Sequence, residues 1–404
     1  MTSHDQTPFS AAPSALGYLY QCRYALLAAL RRLREGTDFG VSLETLDDVV
    51  FQREGAPSEL LQTKHSLKAA ADLTDASPAL WKTIRIWSEG MKTGSISSDS
   101  SLFLVTTASA AAGSAAAFLL VNGRDHAKAL AKLVATATTS TNDQNAPAYR
   151  AFKELSDNQR VALVEAIYVF DTAPEITDLD ELLRGELSFA ARRDFLDSFL
   201  TRLEGWWLRR VIRHLARESG AAVDPIPAVD IEATIGDLRE QFKLDSLPID
   251  EDLLQEEVDL SNYQDRVFVH QLRLIDLGVK RLMIAVREYY RAFEQRSRWI
   301  REDLLLVGEL DRYERRLVEE WQIHFERMRE ELGGVAADGA KKKAALALYR
   351  WVEAEADFPV RPNCTAPFVT RGSYHMLADR RHVGWHPDFL ERLKALLEGG
   401  AMQA

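Results

Sequence analysis

A chain of 404 residues is too long for one ordinary hydrophobic core and implies two or three domains. Hydrophobic residues at 46% and charged residues at 27% describe a soluble globular protein, and a net charge of −11 argues against bulk coating of nucleic acid while allowing a local basic channel. The two cysteines, Cys22 and Cys364, lie far apart without ligand spacing, so neither a disulfide framework nor a cysteine zinc site is expected, and the cytoplasm is the expected compartment.

Residues 1–13, polar with two prolines, read as a flexible lead lacking the blocks of a secretory signal. A helix opening at Ser14 follows, with Leu16, Leu19, Leu26, Leu27, Leu30 and Leu33 near helical spacing. Next comes Val41–His65. Val41–Gln52 reads as one strand, Glu54–Ser58 as a Gly/Pro break and Glu59–His65 as a second strand, which together predict a hairpin. Strand alternation groups Glu44 with Asp48 and Gln62 with Lys64, and pairing around Gly55-Ala56 brings Asp47 or Asp48 close to Gln62–Lys64.

Carboxylates, an amide oxygen and an ammonium in one patch suit a divalent cation and a phosphate. Magnesium keeps several of its waters and needs only one or two carboxylates beside substrate oxygens. Asp48, helped by Glu44, supplies these, and the Gln62 carbonyl is a neutral ligand. A bound cation lowers the pKa of a water and polarises phosphorus. Lys64 then orients that water or stabilises the developing negative charge. Gln21, on the first helix, is an auxiliary candidate whose favoured role is local hydrogen bonding.

Ser77–Gly90 predicts a helix with a serine cap and proline at its first position. Ser100–Gly123 is uncharged and long enough to span a bilayer, but its Ala, Ser, Thr and Gly centre favours a buried strand at Leu102–Thr107 followed by a small-residue helix; no membrane contact is expected. An α/β domain thus runs over 14–125, with a mixed sheet flanked by helices. A helical middle region occupies 126–222, where Arg209, Arg210 and Arg213 form a basic face that either tracks a DNA backbone or is simply solvated.

A proline-marked connection leads to a mainly α-helical C-terminal domain over 230–404. Gly278 and Gly308 are candidate breaks in its long helical stretch, which is either one helix or a helical hairpin. Lys280–Arg301 carries seven Lys/Arg against two acids, a candidate surface for nucleic acid or an acidic partner. Asp357–Phe389 reads as irregular. Its His375, His382 and His386 do not match the intervals of a zinc helix, so a docked loop is expected there. No GxxxxGK[ST] occurs, so an ATPase would sit on another chain.

Asp48 with Gln62-Thr63-Lys64 resembles the D…QxK variant of the PD-(D/E)xK nuclease motif. More broadly, GYLYQCRYALL, VSLETLDDVVF and ELLQTKH are similar to nuclease effectors of bacterial cyclic-oligonucleotide and Lamassu-type defence systems. YYRAFEQRSRW, EEW and TRGSYHMLADRRHVGWHPDF resemble the C-terminal domain of ABC-three-component system proteins. These resemblances imply a restriction-endonuclease-like N-terminal domain that cuts double-stranded DNA with Mg2+ or Mn2+. Asp48, Gln62 and Lys64 would be its catalytic residues, Glu44 a second acid and Asp47 an alternative to Asp48. They also imply an SMC-like ABC ATPase partner that restrains cutting until foreign DNA is sensed, a third small subunit, and activation by self-association. The competing reading is a non-catalytic adaptor or DNA-binding subunit of the same complex.

Overall fold

The computed structural model describes residues 12–44, 48–53, 56–64, 72–97, 99–216, 224–334 and 336–400. The lead expected at 1–13 falls outside them up to residue 11. The chain divides into two compact units: residues up to Ala190 with Leu196–Asp237, and Ala191–Phe195 with residues from Leu238 onward.

The first unit opens with α1 (Ala12–Arg32), then β1 (Gly40–Leu43), β2 (Val49–Arg53) and β3 (Ala56–Lys64). The single strand expected over Val41–Gln52 is therefore two. Glu44 adopts φ 51°, and its N–H donates to the Asp48 carbonyl at 3.1 Å, so the chain reverses between them. Alternating apolar residues predict extended backbone but give no warning of a turn made by a non-glycine residue in the left-handed region.

After β4 (Asp72–Leu73) come α2 (Pro78–Thr93), β5 (Ser101–Thr106) and β6 (Ser109–Ala110). Here β5 matches the expected strand, whereas the small-residue helix does not form: β6, turns and a 3-10 turn at Ala117–Leu119 replace it. Gly113, at φ 73°, and Ala-rich segments with no apolar stripe have little to hold a helix against a core. Among the described residues no helix is long and apolar enough to cross a membrane.

The unit continues through α3 (His126–Thr139), α4 (Ala146–Glu154), α5 (Asp157–Ala166), β7 (Ile167–Phe170), α6 (Leu179–Glu186), α7 (Leu196–Leu215), β8 (Ile226–Pro227) and the start of α8 (Ala228–Gln241). Among the described residues six strands form one mixed sheet in the order β7-β5-β3-β2-β1-β8. β3, β5 and β7 run parallel, while β1, β2 and β3 are successively antiparallel. The sheet thus draws strands from 167–170 and 226–227, well past residue 125. IYVF reads as the end of a helix in sequence because four β-prone residues directly follow an amphipathic one.

One sheet face, with Val50, Leu60, Leu102 and Leu104, packs on Trp81, Ile84 and Trp87 of α2 and on α3–α5. At the edge of β1 the Leu43 N–H donates to buried His214 of α7 at 3.2 Å, which fixes the end of that strand.

The second unit contains α9 (Asp252–Gln255), α10 (Val267–Leu274), α11 (Val279–Arg301), α12 (Glu309–Leu332), α13 (Asp338–Ala354), α14 (Pro367–Asp379) and α15 (Phe389–Gly400). The long stretch is broken into α10, α11 and α12, with Gly278 and Gly308 immediately preceding the last two helices. The segment expected to be irregular holds α14, which is buried along most of its length. Its Gly, Ser, Thr and Val content gives weak intrinsic helicity, and tertiary packing supplies the rest. At Gly372 a Cβ would lie 2.2 Å from the Glu288 carbonyl oxygen, so only glycine lets α14 approach α11 this closely. Gly384 likewise lies under the Phe389 ring, 2.1 Å from where a Cβ would sit.

Candidate active site

The register of the first unit aligns the candidate residues. Leu43 pairs with Val49 and Val49 with Leu61, and the Glu44 N–H donates to the Asp48 carbonyl, so Glu44 and Asp48, just outside β1 and β2, lie at the same sheet end as Gln62 of β3, with Lys64 two residues further along β3. Directly opposed residues share a sheet face, as do residues two apart. β1 and β3 are both antiparallel to β2, so the ends of β1 and β3 and the start of β2 meet at one end of the sheet. This is the carboxyl end of the parallel strands, where open α/β sheets place ligands.

Thr63 holds Asp48 there: its N–H donates to Asp48 Oδ2 at 2.7 Å and its hydroxyl at 3.0 Å. Gln62 is 2% exposed, and its Oε1 is buried without a hydrogen-bond donor. An orphaned buried amide oxygen costs about 1–3 kcal/mol, a cost that a ligand at this oxygen would relieve. Glu44 has its pKa raised by partial burial and by the Asp48 carboxylate, opposed by Lys64 and Lys82. Two carboxylates and two ammonium groups are therefore in electrostatic contact at the sheet end. Tyr18 and Cys22 of α1 also feel Glu44, and burial pushes both of their pKa values up. Gln21 is half-buried on the same helix. Asp47 lies outside the described residues.

Among the described residues no three His, Cys, Asp or Glu side chains are gathered closely enough to hold a metal by themselves. The donors at this sheet end are two carboxylates and an amide oxygen. That set fits a hard cation which completes its shell with water and substrate oxygens, and it does not fit a closed all-protein cage.

Lys64 also lines an open cleft of about 320 Å³ together with Pro78, Ala79, Lys82 and Arg85 of α2 and Gln144, Asn145, Pro147 and Ala148 at the start of α4. Sequence reasoning missed Lys82 and Arg85. Their one signal is the spacing Pro78, Lys82, Arg85, a helix stripe opposite the apolar face of Leu80, Trp81, Ile84 and Trp87.

The other basic candidates are placed differently. Arg210 pairs with Asp230 and lies over Trp206, whereas Arg209 and Arg213 are exposed beside Leu208 and Ile212. Of the Lys280–Arg301 cations, Arg281 binds Glu353, Arg291 the Leu254 carbonyl, Arg296 Glu314 and Ser373, and Arg298 Asp252. Much of that basic excess is consumed within the second unit. His375 is buried among Phe268, Tyr349 and Trp385, and burial depresses its pKa to about 3. His386 is buried and accepts from the Asp388 N–H, while His382 is exposed. The three histidines do not converge.

Fold and site define a two-part chain: an α/β unit with a charged cluster at the carboxyl end of its sheet, and a helical unit built on α10–α15. Residues 268–393, within the helical unit, match the family model described as C-terminal domain 7 of the ABC-three component (ABC-3C) systems. Among curated proteins no match was found.

Proposed function

We propose that this chain is the DNA-cutting effector of an ABC-three-component defence complex of the Lamassu type: a divalent-cation-dependent endonuclease on double-stranded DNA. The observation that carries this reading is the meeting of Glu44, Asp48 and Gln62, with its unpartnered buried amide oxygen, at one sheet end, and Lys64 two residues beyond Gln62 on the same strand. Asp48, Gln62 and Glu44 would hold Mg2+ or Mn2+, which when bound polarises the phosphorus centre and lowers the pKa of a water. Asp48 is oriented by Thr63, so its carboxylate is preorganised for that role. Lys64, at the end of β3, stabilises the charge that builds on the phosphoryl oxygens.

Free cutting of host DNA would be lethal. The helical C-terminal domain therefore docks an SMC-like ABC ATPase, with a third small subunit, and cutting is restrained until foreign DNA is sensed. Self-association of the nuclease units then lets paired sites cut both strands. The ABC-3C domain match supports the placement in such a complex.

Lys64→Ala tests the reading. The variant should fold and assemble, yet lose magnesium-dependent plasmid cleavage by 100-fold or more, on the order of the loss from removing one charge-stabilising group. Cleavage at the wild-type rate would leave the adaptor reading, in which the sheet-end cluster is structural.

A further inference from the structure

The cleft between α2 and α4 has a chemistry that the cluster beside it does not use. Lys64, Lys82 and Arg85 all line it, and none of its nine lining residues is acidic, in a chain of net charge −11. α2 presents Pro78, Lys82 and Arg85 to the cleft while its opposite face carries Trp81 and Trp87 into the core, so the cationic stripe is held on a packed helix. The far wall is equally fixed. Buried Asn145 donates to the Ala76 carbonyl at 2.9 Å and to the Tyr149 hydroxyl at 3.1 Å, tying the start of α4 to the segment leading into α2. Further along the same two helices the surface changes: Lys92 pairs with Glu154 at 2.7 Å, and the groove there also holds Glu89. Lys82 and Arg85 thus lie at the end of α2 that meets Lys64, away from the Lys92–Glu154 pair. The Arg85 Nε lies 3.6 Å from a Glu89 carboxylate oxygen, a weak ion pair beyond hydrogen-bond distance.

We propose that this cleft seats the phosphodiester backbone of a DNA duplex, with Lys82 and Arg85 as phosphate contacts that deliver the neighbouring phosphate to Lys64 and the carboxylates. The proposal rests on the hydrolase reading for its choice of substrate. The two positions lie one helical turn apart, a spacing that lets both side chains reach one polyanionic backbone. Arginine offers a planar fork to phosphate and lysine a point charge, so the pair combines orientation with attraction.

The test measures equilibrium binding of the full chain, in EDTA, to a fluorescent DNA duplex of about 20 base pairs across a salt series. Lys82→Ala with Arg85→Ala should weaken binding at least tenfold at low salt. It should also lower the slope of log K against log salt by about 1.8, at roughly 0.9 per phosphate contact. Lys92→Ala, on the same helix but paired to Glu154, should bind as the parent does. The charge-keeping pair Lys82→Arg with Arg85→Lys should retain most of the affinity, which separates lost charge from lost folding.

Unchanged affinity and slope in the double alanine variant would overturn the proposal. So would displacement of the duplex by inorganic phosphate as readily as by unlabelled duplex, since that would reassign the cleft to a small anion. Because binding is read without a cation, the two readings fail separately. Cleft-dependent binding without any cleavage would sink the hydrolase, whereas Lys64-dependent cleavage with normal binding by the double alanine variant would sink the cleft.

Discussion

Asp48, Gln62 and Lys64 were accessible to sequence reasoning because a strand's period of two is a local property. Glu44 reached the same cluster by a route the sequence hides: its N–H donates to the Asp48 carbonyl between two antiparallel strands, and the two residues do not lie along one strand. Lys82 and Arg85 could not be assigned, because their relation to Lys64 depends on how α2 crosses β3, a tertiary fact. Glu288 makes the same point in the second unit. It is buried on α11, and its pKa is raised to about 7 chiefly by burial, with Arg371 at 2.9 Å opposing the shift. A carboxyl group whose folded pKa exceeds its unfolded one stabilises the fold below the unfolded value. That contribution is lost as pH rises from about 4.5 to about 7. Glu288→Gln removes this titration. Its stability relative to the parent should therefore improve by about 2–3 kcal/mol between pH 4.5 and pH 8, read as ΔΔG from urea melts at the two pH values. A pH-independent difference would show that Arg371 keeps Glu288 ionised throughout.

At the scale of elements, α2, α3, α11 and α12 follow from apolar periodicity, with Pro78 opening α2 and Gly278 and Gly308 preceding α11 and α12. α14 does not, because its sequence is chosen for proximity and not for helicity. Gly372 meets the α11 backbone, Ser373 accepts from buried Arg296, and the Tyr374 hydroxyl donates to the Leu317 carbonyl of α12. Gly372→Ala should force α14 off α11 and cost about 3 kcal/mol, despite alanine's better helix propensity. Ala378→Gly, in the same helix, should cost only about 1 kcal/mol. Thermal melts of the two variants check the contrast, and an equal loss would mean that α14 is held by helicity and not by close approach. Arg361 is a second lock: buried, it donates to both carboxylate oxygens of Glu309 and to the carbonyls of Ser246 and Leu304. No periodicity marks it, since its partners come from two distant segments, Ser246 and Leu304–Glu309.

On the scale of the whole molecule, composition anticipated more than one domain, and the mixed sheet followed by a helical region is what the chain forms. Boundaries were less legible, because β7 and β8 are contributed by short segments between helices, far in sequence from the strands they join. The sheet-end cluster and the residues matched by the ABC-3C domain model lie in different units. The most direct measurement follows supercoiled plasmid incubated with the purified chain and the ATPase proposed as its partner, with DNA ends supplied and with magnesium either present or chelated. Nicked and linear product should accumulate only with magnesium and should vanish with Asp48→Asn. Intact plasmid under every condition, or cleavage that survives both chelation and Asp48→Asn, would contradict the assignment of hydrolysis to Glu44, Asp48, Gln62 and Lys64.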